Sequence, residues 1–151
     1  MKKSTILVIC ILFLASVLVV GFFGMNAESY YSKVYVQSIT PASIDCSTDE
    51  KLFFGESDEP NRYTIVIHEF VKDMVIRVDF DVYPNDATFF NDIQLEITSQ
   101  GNYTGSADHT VATLEGKTIK LHQPGFADVT YRAMDGSNVY MTIAIYVLPV
   151  N

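Results

Sequence analysis

The chain has 151 residues, about the length of one domain, and 48% of them are apolar, which is enough for a core and argues against intrinsic disorder. A formal net charge of −8 sets the surface against nucleic acid and anionic lipid headgroups. Cys46 is the single cysteine beyond the first apolar run, so no disulfide forms within the part that follows.

Residues 1–27 make up the first segment. Lys2 and Lys3 are followed by a stretch without charge as far as Glu28. A cleaved signal peptide has an apolar centre of about 7–15 residues and a small-x-small cleavage site. Ile6 to Met25 is longer and comes near the ~20 residues that span a bilayer. Met25-Asn26-Ala27 also puts a bulky side chain where cleavage needs a small one. The expectation is an uncleaved transmembrane anchor with the lysines inside and the C-terminal part outside the cytoplasm, a secreted protein after signal cleavage being the alternative. A short linker, 28–33, then leads to one folded domain, 34–151.

From Tyr30 onward no amphipathic helical pattern of useful length occurs, whereas period-two alternation recurs. Strands are predicted over Val34 to Ile39 and Tyr63 to Phe70. The next has Ile76, Val78, Phe80 and Val82 on one face, with Arg77, Asp79, Asp81 and Tyr83 on the other. Ile93, Leu95 and Ile97 alternate with Gln94, Glu96 and Thr98; then come Ile119 with Leu121, the series Ala127, Val129, Tyr131, and the run Val139, Met141, Ile143, Ile145, Val147. About seven strands with one polar face suit two antiparallel sheets packed as an immunoglobulin-like sandwich. "PASIDCSTDEKLFFGESDEPN", "YPNDAT", "SQGNYTGSAD", "LEGK", "QPG" and "MDGSN" supply the connections. In "YPNDAT", Pro84 cannot donate to a ladder, and Asn85, Asp86 and Thr88 turn the chain towards the second sheet.

"VYPNDAT" followed by "VATLEGKTIKLHQPGFADVTYRAMDGSNVYMTIAIYVL" resembles the bacterial Ig-like domain of group 2. That family typically shows a strand ending Val-x-Pro-x-Asp-Ala-Thr, a second strand that crosses to the other sheet, then Val-Ala-x-Val with a Gly turn, then Gly-x-Ala-x-Val-x-Tyr or Thr and a last strand after Asp-Gly. Val82, Pro84, Asp86, Ala87 and Thr88 match the first element; Val111, Ala112, Gly116, Gly125, Ala127, Val129, Tyr131, Asp135 and Gly136 match the others. The resemblance is clearest over residues 74–149, and Leu95-Glu96-Ile97-Thr98-Ser99 stands where the family has a tryptophan. It implies a cell-surface or exported module for spacing, adhesion, or binding of a glycan or protein, with no catalytic residues. The alternative from a structural class is a small membrane-anchored subunit of a bacterial envelope assembly.

The residues bearing on chemistry agree with a non-catalytic reading. In "HEFVK", Lys72 stands where the second His of a zinc-protease helix belongs, so His68 reads as a surface residue. No Gly-x-Ser-x-Gly elbow occurs, and Ser106, Asp108 and His109 are too close in sequence for a triad. His122 is expected to point outward beside a turn. Acidic loops offer oxygen ligands for calcium at Asp49, Glu50, Glu56, Asp58, Glu59, Asp86 and Asp135, but without the spacing of a calcium loop, so no metal or other cofactor is assigned. Cys46 reads as a buried or idle thiol, an intermolecular bridge being the sharper alternative.

Aromatic residues are the best binding candidates, because a flat ring stacks on a sugar or anchors a protein contact. Phe53 with Phe54, and Phe89 with Phe90, form pairs in polar loops, where plugging the open end of a core is their other role. Tyr83, Tyr140 and Tyr146 fall on predicted outward faces.

Overall fold

The structure, a computed structural model, describes residues 11–17, 33–47, 52–87, 92–103, 105 and 107–149. The chain separates into two units, Met1–Lys33 and Val34–Asn151. In the first, residues 11–17 form a helix whose apolar side chains Ile11, Leu12, Phe13, Leu14 and Val17 are exposed. Among the described residues no helix is long and apolar enough to cross a membrane, and most of the expected span from Ile6 to Met25 lies outside them.

In the second unit the described strands are β1 (Ser38–Cys46), β2 (Leu52–Glu56), β3 (Arg62–Ile67), β4 (Val75–Tyr83), β5 (Ile93–Asn102), β6 (Ala112–Glu115), β7 (Thr118–Leu121), β8 (Gly125–Ala133) and β9 (Tyr140–Val147). They build a four-stranded sheet in the order β1-β4-β7-β6 and a five-stranded sheet in the order β2-β3-β9-β8-β5. Because side chains alternate across a strand, each sheet turns one apolar face to the other. Ile76, Val78, Ile119 and Leu121 from the first sheet meet Ile65, Ile67, Ala127, Val129, Tyr131, Met141, Ile143, Ile145 and Val147 from the second in one buried cluster. Phe80, Val82, Ile93, Leu95 and Ile97 pack against it but stay partly exposed.

Two expectations are corrected. The described strands number nine, not seven, because β2 and β6 arise in stretches read as connections. Leu52, Phe53 and Phe54 are apolar on both faces of β2, which erases the alternation that marks a strand. β6 is only four residues long and is paired to β7 through the turn at Gly116-Lys117, where Gly116 takes φ +64°. The sandwich is also not wholly antiparallel. β2 and β3 form a hairpin whose turn is closed by the Ser57 amide on the Arg62 carbonyl, and β3 then runs parallel to β9 from Arg62↔Thr142 to Ile67↔Val147.

β4 ends at Tyr83, just before Pro84, which has no N–H to donate to a ladder. The Ala87 amide donates to the Pro84 carbonyl at 3.0 Å, and Ala87 is buried. Thr88 lies outside the described residues. The next described strand, β5, belongs to the opposite sheet.

Candidate binding face

Strand register determines which side chains can meet on the outside of the five-stranded sheet. Phe53 of β2 pairs with Val66 of β3, Val66 with Tyr146 of β9, Tyr146 with Phe126 of β8, and Phe126 with Gly101 of β5. All point away from the core, because their neighbours Ile65, Ile67, Ile145, Val147 and Ala127 point into it. One row across the whole sheet therefore carries Phe53, Val66, Tyr146 and Phe126 outward. Phe53 is 60% exposed, and Tyr103, just beyond β5, is also exposed.

Glycines shape this row. A Cβ on Gly101 would come within 2.8 Å of the Phe126 ring, and one on Gly55 within 3.2 Å of the Phe53 ring. Each ring thus lies against backbone where no side chain intervenes, which favours flat aromatic surfaces over upright ones. Partial burial, and secondarily Tyr146, raises the pKa of Tyr103, so its phenol stays protonated and able to donate through the neutral range.

The adjacent row is small and polar: Gly55, Thr64, Ala144 and Asp128 follow in register. Arg62 reaches Asp128 with Nη2–Oδ1 at 2.9 Å and approaches Glu59 at 3.6 Å. Burial opposes the charge of Arg62, but Asp128, the Tyr146 hydroxyl and Glu59 outweigh it, so the guanidinium pKa is raised. The hydroxyls of Thr98, Thr130 and Thr142 form a chain with spacings of 3.3 and 3.2 Å; Thr130 is buried, so Thr98 and Thr142 are its outward members. Stacking rings thus stand beside donors and acceptors, the combination a polyhydroxylated ligand uses.

No protein-family model matches this chain, and no curated protein does.

The structure brings together only some of the aromatic candidates. Phe53 and Tyr146 share the row, although Phe53 lies in a strand and not in a loop. Tyr140 is on the same face at the other end of β9, about 20 Å away at ~3.3 Å per residue, beneath the Arg132 guanidinium 5.5 Å from its ring centre. Phe54 points to the opposite side of β2, stacks on Tyr63 at 5.8 Å, and lines a hollow of about 330 Å³ with Pro41, Ala42, Ser43, Ile44 and Leu52. Tyr83 is 61% exposed at the end of β4 in the other sheet. Phe89 and Phe90 lie outside the described residues. Phe126, Val66 and Tyr103 were missed. The alternation that places Ala127 and Val129 inside also places Phe126 outside, so its position was readable; its neighbours across the sheet were not.

Several other titratable groups are held in structural hydrogen bonds. His122 is held between the Thr113 hydroxyl at 2.8 Å and Asp73 at 3.2 Å. The His109 ring meets Asn102 at 3.4 Å, while Ser106 lies outside the described residues. The Asp108 carboxylate accepts from the Thr110 amide at 2.9 Å, the bond that chiefly lowers its pKa. Gln100 accepts from the amides of Val111 and Ala112, and Gln123 donates to the carbonyls of Asp108 and Thr110, so these side chains stitch the loop before β6. Among the described residues no three His, Cys, Asp or Glu side chains are grouped to hold a metal ion. Asp49 and Glu50 are outside that set, and Asp135 is engaged by the amides of Val36 and Ser137. Cys46 packs at the margin of the core as a thiol.

Proposed function

We propose that this protein is a non-catalytic Ig-like module that binds a glycan on the outer face of its five-stranded sheet, displayed outside the cytoplasm by the apolar N-terminal segment. The observation that carries the reading is the outward row Phe53, Val66, Tyr146 and Phe126, flanked by the Arg62–Asp128 pair and the threonine hydroxyls. Strand order supports the Ig-like part. Equating β1, β4, β7 and β6 with A, B, E and D, and β9, β8 and β5 with G, F and C, reproduces the constant-type arrangement, with the β2–β3 hairpin added beside G.

The test is co-sedimentation of the purified protein with insoluble cellulose, chitin and peptidoglycan, comparing wild type with Phe53→Ala and Tyr146→Ala. Loss of one central aromatic contact is worth about 1–2 kcal/mol, so each variant should bind its polymer about 5- to 30-fold more weakly. Circular dichroism should show both variants folded. Wild type that sediments with none of the polymers, or variants that bind as well as wild type, would overturn the assignment.

A further inference from the structure

β4 is an inner strand of its sheet, yet among the described residues no strand pairs with half of it along one edge. β7 pairs with it only from Val75↔Lys120 to Arg77↔Thr118. The direction of the backbone groups follows from the bonds at its ends. The carbonyls of Val75 and Tyr83 accept from Ser47 and Gln37 on the β1 side, whereas the Met74 carbonyl accepts from Leu121 on the β7 side. Odd-numbered residues therefore face β1, and Val78, Phe80 and Val82 direct N–H and C=O groups beyond the end of β7, where no described strand meets them. A hollow of about 540 Å³ occupies that position, lined by residues 77–82, with Lys117 at the β7 end and Asn85 at the other.

The true edge strands are protected. β1 carries Pro41 and a bulge between Pro41 and Ser43, β5 has a bulge between Ile97 and Ser99, β2 is short and contains Gly55, and β6 has four residues. Val78 to Val82 contains neither Pro nor Gly, and the bulge opposite it belongs to β1. The side chains on its inner face are apolar, with Phe80 and Val82 only partly covered, and beside Phe80 the buried Tyr131 hydroxyl has no hydrogen-bond partner among the described residues. The outer side of the strand presents Asp79, paired with Arg77 at 3.0 Å, and the exposed Asp81, which forms no ion pair among the described residues.

We propose that this edge receives an added β-strand from another protein: an extended segment with apolar residues opposite Val78, Phe80 and Val82, and Lys or Arg opposite Asp79 and Asp81. A second copy is disfavoured, because a two-fold pairing about Phe80 would set Asp79 against the partner copy's Asp81 at both crossings, and like charges directly opposite destabilise a ladder. The net charge of −8 draws a basic segment in the same sense. The site is independent of the aromatic face on the other sheet.

The experiment uses the full-length protein in detergent micelles with three synthetic peptides: Val-Lys-Val-Lys-Val, its Val-Glu-Val-Glu-Val counterpart, and the lysine peptide with N-methylated amides. Amide hydrogen exchange is read at residues 78–82. The lysine peptide should slow exchange at Val78, Phe80 and Val82 by about tenfold or more and leave Asp79 and Asp81, already turned to β1, unchanged. The N-methylated peptide should not bind. Asp81→Lys, which leaves the backbone intact, should weaken the lysine peptide by about fivefold and favour the glutamate one. Val82→Pro, removing an amide that faces no described strand, should fold and lose binding. Unchanged exchange with the lysine peptide, equal binding of the glutamate or N-methylated peptide, or protection of these amides by self-association without peptide would overturn the proposal.

Discussion

Arg62 on β3 joins Asp128 on β8 across the intervening strand β9, with Nη2 and Oδ1 2.9 Å apart. Ala144 is the β9 residue in register with Asp128, and although it faces outward it is only 1% exposed. A small residue there leaves room for the pair to close over the strand. Both partners are mostly shielded from water, so this bond belongs with hydrogen bonds to charged groups and not with surface ion pairs. Asp128→Ala should cost about 1.5–3 kcal/mol, read from urea unfolding. A double-mutant cycle with Arg62→Met should return a coupling of similar sign; additive losses would show that the two side chains act separately.

Tyr131 offers the opposite case. Its ring is wholly buried and meets Phe80 edge-on at 5.6 Å, but its hydroxyl is unpartnered among the described residues. Removing an unsatisfied polar group while keeping the ring should be neutral or stabilise by up to about 1 kcal/mol, so Tyr131→Phe should match or exceed wild type in thermal stability. Burial, with a smaller contribution from Asp79, raises the phenol pKa well above its ordinary value. A raised folded-state pKa means stability present at neutral pH and lost as pH rises past the unfolded value of about 10. Tyr131→Phe should therefore flatten the alkaline limb of the stability curve.

How far the sequence disclosed this depends on the element. Strands with a polar and an apolar face, such as Ile76 to Val82 or Ala127 to Tyr131, were readable because one buried side imposes period two. β2 escaped, since Phe53 and Phe54 are apolar on both faces, one turned to solvent and one stacked on Tyr63. The parallel pairing of β3 with β9 was equally hidden: pattern reports which face a residue takes, not which strand lies beside it. The candidate face suffered for the same reason. Phe53, Val66, Phe126 and Tyr146 are far apart in sequence and become one row only through the strand order 2-3-9-8.

Gly125 is required by close approach. A Cβ there would strike the Gly101 carbonyl oxygen, a Val111 methyl group and, at 2.8 Å, the Asn102 Cα. Two of these three are backbone atoms of the paired strand β5, which cannot swing aside as a side-chain tip can. Gly125→Ala should therefore cost at least about 2 kcal/mol. Gly116→Ala, where open space surrounds the added methyl and only the left-handed φ of +64° resists, should cost about 1 kcal/mol. Comparing the melting temperatures of the two variants checks this; an equal loss at both sites would rule out crowding as the cause at Gly125.

Asp135 ties the segment before β1 to the turn before β9. One carboxylate oxygen accepts from the Val36 amide at 2.6 Å and the other from the Ser137 amide at 2.9 Å. Desolvation works against ionisation here, yet the bonds from Ser137 and Val36 prevail and the pKa falls below the ordinary value. With the folded pKa depressed, the stabilisation is complete above the unfolded pKa of about 3.9 and disappears as pH falls through the lower folded value. Acidification below about pH 4 should therefore loosen this tether first at the Val36 end, 99 residues away in sequence and otherwise outside any strand. The amide shift of Val36, followed by NMR from neutral to acid pH, should titrate with the carboxylate, and Asp135→Asn should abolish that titration and speed Val36 exchange at neutral pH. A Val36 amide insensitive to both pH and the substitution would mean that the carboxylate does not hold it.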